Sequence, residues 1–247
     1  MRKYGYRKDK YDGRDLLAAV GDVPLPSRVD LRETQLLPPI EDQGNLGSCV
    51  AHAATAAIEY LERRSATADV ERSRLFVYYG AREIEGTIKE DAGCQIRDAF
   101  KVLNKLGAPD EALWPYNPRK FRTKPTKVAY ANAALSRLFK YQRVKVNTLA
   151  IKQTLAQSLP VVIGVDLYAS FESDAVAASG EVPLPTHAEE TIGGHAMLAV
   201  GFDDAQQAFL VRNSWGKTWG QQGYCWMPYA YVGNAKLGGD YWVAMEY

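Results

Sequence analysis

The chain has 247 residues, 47% apolar and 24% charged, a composition that sustains a packed core and excludes general disorder. Its 30 Lys and Arg against 29 Asp and Glu leave a net charge of +1, so neither nucleic acid nor an anionic membrane surface is an expected partner. No apolar run reaches the ~18–20 residues of a membrane-spanning helix, so no membrane insertion is expected. The basic N-terminus is not followed by a signal-peptide core, because Gly21 and Asp22 interrupt LLAAVGDV. An odd, low number of cysteines (Cys49, Cys94, Cys225) fits a reducing compartment better than a disulfide framework. The cytoplasm, or export without a leader, is the expected location.

Residues 1–26 read as an arm. Its first 14 residues hold six Lys or Arg against two Asp, with Tyr4, Tyr6 and Tyr11 among them. It ends in VPLPSR, where Pro24 and Pro26 favour extended backbone. Residues 27–247 read as one domain, with a helical lobe over about 41–125 and a β-rich lobe over about 141–247. After a turn-rich stretch from Leu36 to Ser48, apolar residues fall at Val50, Ala53, Ala54, Ala57, Ile58 and Leu61, which predicts a helix over Cys49–Arg64. Its charged end, Glu62-Arg63-Arg64, suits a solvent-exposed last turn. A second helix is expected from Gln95 to Leu106, closed by Gly107 in the left-handed region and by Pro109.

Residues 113–127 hold three prolines and no period, the pattern of a surface crossover. A further helix is expected from Leu149 to Ser158. VVIGVDL after Pro160 reads as a strand buried on both faces. HAMLAVGF and AFLVRN flank Asp203–Gln207 as a hairpin, and GYCWM and DYWVAMEY supply two more strands. A helical half followed by a β-rich half makes the fold α+β.

Cys49 opens a helix, where the positive end of the helix dipole favours thiolate over thiol, the form that acts as nucleophile. A buried core cysteine is the alternative reading of that position. His195 follows Gly193-Gly194 at the start of a strand, which gives it room to face a cleft or to be a hydrogen-bonded core imidazole. Asn213 carries a side-chain oxygen able to accept from one imidazole nitrogen and set the tautomer of the other. Each signal alone is weak, and together they are strong.

The combination resembles the papain-like cysteine proteases in four segments: LPSRVDLR, QGNLGSCVAHA, GGHAMLAVGF and RNSWGKTWGQQGYCWM. The likeness runs from about Leu25 to the C-terminus, and the order Gln43, Cys49, His195, Asn213 is the family's own. His and Asn are expected about 130–150 residues after the cysteine; His195 fits and Asn213 lies somewhat further on. The resemblance implies a two-lobe fold, helical lobe against a β-rich, barrel-like lobe, with the cleft between them. It implies catalysis by Cys49 and His195 with Asn213 orienting the imidazole, and an oxyanion hole of the Gln43 amide and the Cys49 N–H. Trp215 would cover the Asn213–His195 hydrogen bond, and Gly93, Ala196 and the strand near Gly164 would border the substrate.

The family's nucleophile segment usually reads Cys-Gly-Ser-Cys-Trp, whereas here it is Leu46-Gly47-Ser48-Cys49-Val50. Leu46 thus replaces a cysteine whose partner position aligns near Glu90, which suggests a bacterial-style member without the usual disulfide. His52 reads as a packed helix residue, His187 as a loop residue and Cys225 as core. No metal-ligand spacing or phosphate loop is present, so neither metal nor cofactor is expected. The expected activity is a cysteine endopeptidase working through an acyl-thioester, with peptides or proteins as substrates, protein inhibitors as partners and a monomeric state. The alternatives are a transpeptidase using the same chemistry and a non-catalytic peptide-binding protein. The Tyr-rich arm is expected to fold over the cleft near Cys49 and Trp215 and limit access to it.

Overall fold

The structure, a computed structural model, describes residues 3–19, 24–138 and 140–246. The arm contributes a two-residue strand, β1 (Tyr6–Arg7), and β2 (Arg28–Asp30) follows it. Helix α1 (Cys49–Arg64) has the bounds its apolar stripe predicts, and nearly all of it is buried. One detail of the sequence reading is overturned at its end. Glu62 is fully buried, because the Arg72 guanidinium lies 2.9 Å from its carboxylate through Nε and compensates its charge.

Helix α2 (Arg74–Glu85) is capped by the Ser73 hydroxyl at its start and by left-handed Gly86 at its end. β3 (Cys94–Gln95) leads into α3 (Ile96–Lys105), and Gly107 then takes φ +81° as its sequence position suggests. The Pro-rich crossover forms two short 3-10 turns, at Glu111–Leu113 and Pro118–Lys120, before α4 (Lys127–Ala133).

The second half adds β4 (Lys140–Val144), α5 (Thr148–Ala156), β5 (Val161–Tyr168), α6 (Asp174–Ser179) and β6 (Thr191–Asp203). It closes with β7 (Ala208–Arg212), β8 (Tyr224–Pro228), the short α7 (Tyr229–Val232) and β9 (Gly238–Glu246). Seven strands form one antiparallel sheet in the order β4-β9-β5-β6-β7-β8, with β2 crossing from the first half to pair with the end of β6. β6 and β7 are the expected hairpin, joined through Asp203 and Ala208. Helix α1 packs on β6, so the start of the helix meets the strand that carries His195. No helix is long and apolar enough to cross a membrane among the described residues. The fold is α+β.

The arm is built into this frame rather than trailing from it. β1 pairs in parallel with β3, Tyr6 opposite Cys94. Further along, Leu16 and Ala18 bond the backbone of Arg143 on β4. Between these points Arg143 reaches Asp9 (2.9 Å) and Asp15 (2.8 Å), and Arg97 on α3 also pairs with Asp15 (3.2 Å).

Candidate active site

Cys49 is the first residue of α1, and its thiol is fully buried. The Sγ accepts the backbone N–H of Ala196 at 3.4 Å, so the strand after His195 lies directly against the nucleophile. Burial pushes the thiol up to about 11, opposed by backbone N–H donors from Ala196, Gly5 and Val50.

His195 is buried on β6, and its Nε2 lies 2.8 Å from Asn213 Oδ1. That bond holds Nε2 as the protonated nitrogen and leaves Nδ1 as the ring nitrogen available to a thiol. Asn213 Oδ1 also accepts the N–H of Ser214 at 2.8 Å, which fixes the amide's orientation. The Trp215 ring lies 5.1 Å from the imidazole and is itself packed by Phe171 and Trp219, so water is kept from the Asn213–His195 pair.

Gln43 is brought to the same point by two contacts with the loop after β7. Its backbone N–H donates to Ser214 O (2.9 Å), and its Oε1 accepts from the Ser214 hydroxyl (2.6 Å). These leave the Nε2 donor aimed at the nucleophile loop, where it meets Leu46 O at 2.9 Å and Lys3 O of the arm at 3.3 Å. Behind the loop, Tyr116 OH lies 2.6 Å from the Ser48 hydroxyl and donates to Gln43 O at 2.9 Å. His52 packs edge-on against Tyr116 with Nδ1 3.0 Å from Ser48 O, and burial lowers it to about 4, so it stays neutral in the helix.

Cys94 and Cys225 are likewise buried thiols, and His187 is an exposed loop residue. Beside Leu46, a carboxylate ties down the nucleophile loop. Asp91 accepts the Gly47 N–H (3.0 Å) and the Tyr78 hydroxyl (2.5 Å), and pairs with Lys3 (2.9 Å).

The arm lies across these groups. The Tyr4 ring is 6.1 Å from that of His195 and 6.4 Å from that of Trp215. Gly5 threads between two backbones so closely that a Cβ there would stand 1.9 Å from Gly47 O. Its own carbonyl accepts the Cys94 N–H at 2.8 Å. The Gly93 N–H donates to Tyr78 OH at 3.2 Å. Tyr6 then drops its ring onto Gly164 and Gly194 and donates its hydroxyl to Asp240 at 2.7 Å. Sequence reasoning singled out neither Asp91, Asp240 nor Cys94 for the site, because their partners lie far away along the chain.

Residues 25–240 match the family model described as papain family cysteine protease. A peptidase C1-like protein of Acanthamoeba polyphaga mimivirus is 39% identical over 271 aligned residues, covering 99% of this chain and 87% of that protein. A cathepsin L-like peptidase of Aedes aegypti is 30% identical over 82% of this chain, which spans only 59% of that longer protein. Among solved structures, xylellain, a cysteine protease from Xylella fastidiosa, superposes with a TM-score of 0.91 at 38% identity, covering 99% of this chain and 96% of that one. The chain belongs to the papain family of cysteine proteases.

Proposed function

We propose that the chain is an endopeptidase acting through an acyl-thioester on Cys49, and that its own N-terminal arm limits access to that chemistry. The supporting observation is the meeting of Cys49, the His195–Asn213 pair and the Gln43 amide under arm residues Tyr4 to Tyr6. In the reaction, the Cys49 thiol passes its proton to His195 Nδ1 and the sulfur adds to the peptide carbonyl carbon, while the oxyanion takes N–H donors from Gln43 Nε2 and the Cys49 backbone. His195 gives its proton to the leaving amine, and water then hydrolyses the thioester with His195 as base. Asn213 holds the ring nitrogen that does not face sulfur, and Trp215 shields that bond.

The arm engages the same groups without offering a cleavable bond. A substrate runs from its acyl side, along Cys94, towards its leaving amine beside His195 and Trp215. The arm runs the other way: Tyr4 is beside His195, and Tyr6 and Arg7 follow along Cys94 and Gln95 in parallel. The Gly5 N–H, not a carbonyl carbon, therefore meets the Cys49 sulfur. An arm carbonyl, that of Lys3, takes the Gln43 donor that the oxyanion needs. The substrate edge proposed from this register is Cys94 together with Gly93, with Ala196 on the opposite wall.

The test is hydrolysis of peptide substrates by the full chain, with Cys49→Ala as control and products resolved with and without an added amine. Labelling by an irreversible epoxide is expected at Cys49 faster than at Cys94 or Cys225. Equal labelling of all three with no hydrolysis would favour a binding protein, and amide products formed from added amine would favour a transpeptidase.

A further inference from the structure

Charge is not spread evenly along this near-neutral chain. Between Glu111 and Asp166 there is no Asp or Glu, while ten Lys or Arg fall there. Five of them, Arg119, Lys120, Arg122, Lys124 and Lys127, are crowded into the Pro-rich crossover, and all five are exposed. Arg143 and Lys152, from the same acid-free stretch, are held in ion pairs with Asp9, Asp240 and Asp204. None of the crossover five lies at ion-pair distance from a carboxylate among the described residues.

The backbone that carries them is held in place. Asn117 Oδ1 accepts the Arg119 N–H at 3.0 Å, and the Lys120 and Thr123 N–H groups close successive turns on Asn117 O (2.9 Å) and Lys120 O (2.8 Å). The buried Arg82 guanidinium donates to the Phe121 carbonyl. Cations fixed this way have less freedom to lose on meeting a partner than those of a loose loop. Arg119 and Arg122 also line a cavity of about 580 Å³ together with Asn45 and Leu46, of the loop that ends in Cys49.

We propose that residues 119–127 are a docking surface for an acidic segment of a protein substrate, which they hold while the bond to be cut reaches Cys49. The use made of the surface rests on the peptidase reading above, whereas the binding itself does not. A single exposed ion pair is weak, but cations crowded on one strip gather an acidic chain by their summed field, an effect on the order of tenfold at low salt that screening removes. Lys3 of the arm lines the same cavity, so a chain docked here is held next to the segment it must displace.

The surroundings favour a peptide over a nucleic acid. The aromatic rings within reach, Phe121 and Trp114, already carry cations of this chain: Arg82 at 5.2 Å and Arg122 at 4.9 Å on Phe121, and Lys120 at 5.7 Å on Trp114. They are poor platforms for stacked bases. Glu90 and Asp91 line the cavity too and would repel a continuous run of phosphates. A peptide spaces its acids and sets neutral residues against those two carboxylates.

The binding test uses the full chain carrying Cys49→Ala and a fluorescent Asp-rich peptide, with the same peptide carrying Asn as control, read by anisotropy. The Asp peptide is expected to bind about tenfold tighter than its Asn counterpart near 0.02 M salt, and within about twofold of it near 0.5 M. Combining Arg119→Gln, Arg122→Gln and Lys124→Gln is expected to erase the preference at low salt, while Arg119→Lys with Arg122→Lys retains it. With Cys49 in place, a cleavable peptide extended by Asp residues at one of its ends should show a lower KM at unchanged kcat, and the triple Gln variant should cleave a neutral peptide as the parent does. A chain that cleaves nothing would sink the peptidase reading while anisotropy still decides the strip. Equal binding of the Asp and Asn peptides, a preference unmoved in the triple Gln variant, or tighter binding of a single-stranded oligonucleotide of equal charge would overturn the proposal.

Discussion

Asp91 accepts the backbone N–H of Gly47, two residues before the nucleophile, and the same carboxylate takes the Tyr78 hydroxyl from α2. The loop that leads into Cys49 is therefore tied to the segment before β3 by hydrogen bonds. Asp91→Ala leaves the Gly47 N–H and the Tyr78 hydroxyl without their acceptor. It is expected to cost about 1–3 kcal/mol of stability, read as a lower midpoint in thermal unfolding, and to lower kcat more than it raises KM. An unchanged midpoint with unchanged kcat would show that the loop holds itself.

Removing the reacting groups separates chemistry from structure. Cys49→Ala and His195→Ala are expected to abolish peptide hydrolysis with circular dichroism unchanged, and Asn213→Ala to lose less, since Asn213 acts through His195. Loss of secondary structure in the first two would point to a packing role instead.

Gln43→Ala is expected to lower kcat by roughly 10²–10³ with little change in KM, the size of one lost oxyanion donor. The Ser214 hydroxyl also loses its acceptor there, so the thermal midpoint should be measured in parallel. An effect confined to KM would mean that Gln43 contacts the ground state.

A single methyl-bearing residue should be enough to lift the arm. Because a Cβ at Gly5 would stand 1.9 Å from the Gly47 carbonyl oxygen, Gly5→Val is incompatible with the docked arm but leaves the rest of the chain untouched. The expected outcome is a rise in kcat/KM, with the thermal midpoint lowered by the lost arm contacts. A kcat/KM within twofold of the parent would mean that the arm is no inhibitor.

The same pair of proteins tests the electrostatics. Under the arm, burial disfavours the thiolate and raises the Cys49 thiol to about 11, so its deprotonation is postponed to higher pH. Alkylation of Cys49 by iodoacetamide in the full chain should therefore be slow at neutral pH and climb steadily towards pH 11. In Gly5→Val, with the cover gone and the thiolate stabilised by His195, the rate should already be high near pH 7. Identical profiles in the two chains would rule out the arm as the cause.

Much of this was legible in the chain, for identifiable reasons. Helix α1 has a one-sided stripe and a turn of small residues before Cys49, and β5 is an unbroken apolar run, so both declare their periods. Helix α2 did not, because it buries Arg74, Arg82 and Gly80 as well as its apolar residues, which erases any stripe. Glu62 looked like a solvent charge because its partner Arg72 lies beyond a turn. Of the arm's aromatic residues Tyr4 and Tyr6 pack inward as a groove-filling reading expects, whereas Tyr11 stays exposed, and the acidic residues Asp9 and Asp15, which anchor the arm to Arg143, were hidden by its overall basic character. Nothing local linked Tyr6 to Asp240, since the two meet only when β9 closes the sheet.

The parallel run of β1 along β3 has a consequence for how the enzyme would meet its substrates. If the arm blocks the cleft as proposed, a segment laid down in the cleavable direction would be consumed by the first turnover, whereas one that presents an N–H to the sulfur would survive each encounter. Such a tether would return to the cleft at an effective concentration on the order of millimolar, whatever the enzyme concentration in solution. Dilution would not switch it off. Peptides that bind weakly would lose to it at any ordinary abundance, and those with several good contacts would displace it, so the arm would act as a threshold on substrate affinity as well as a cover.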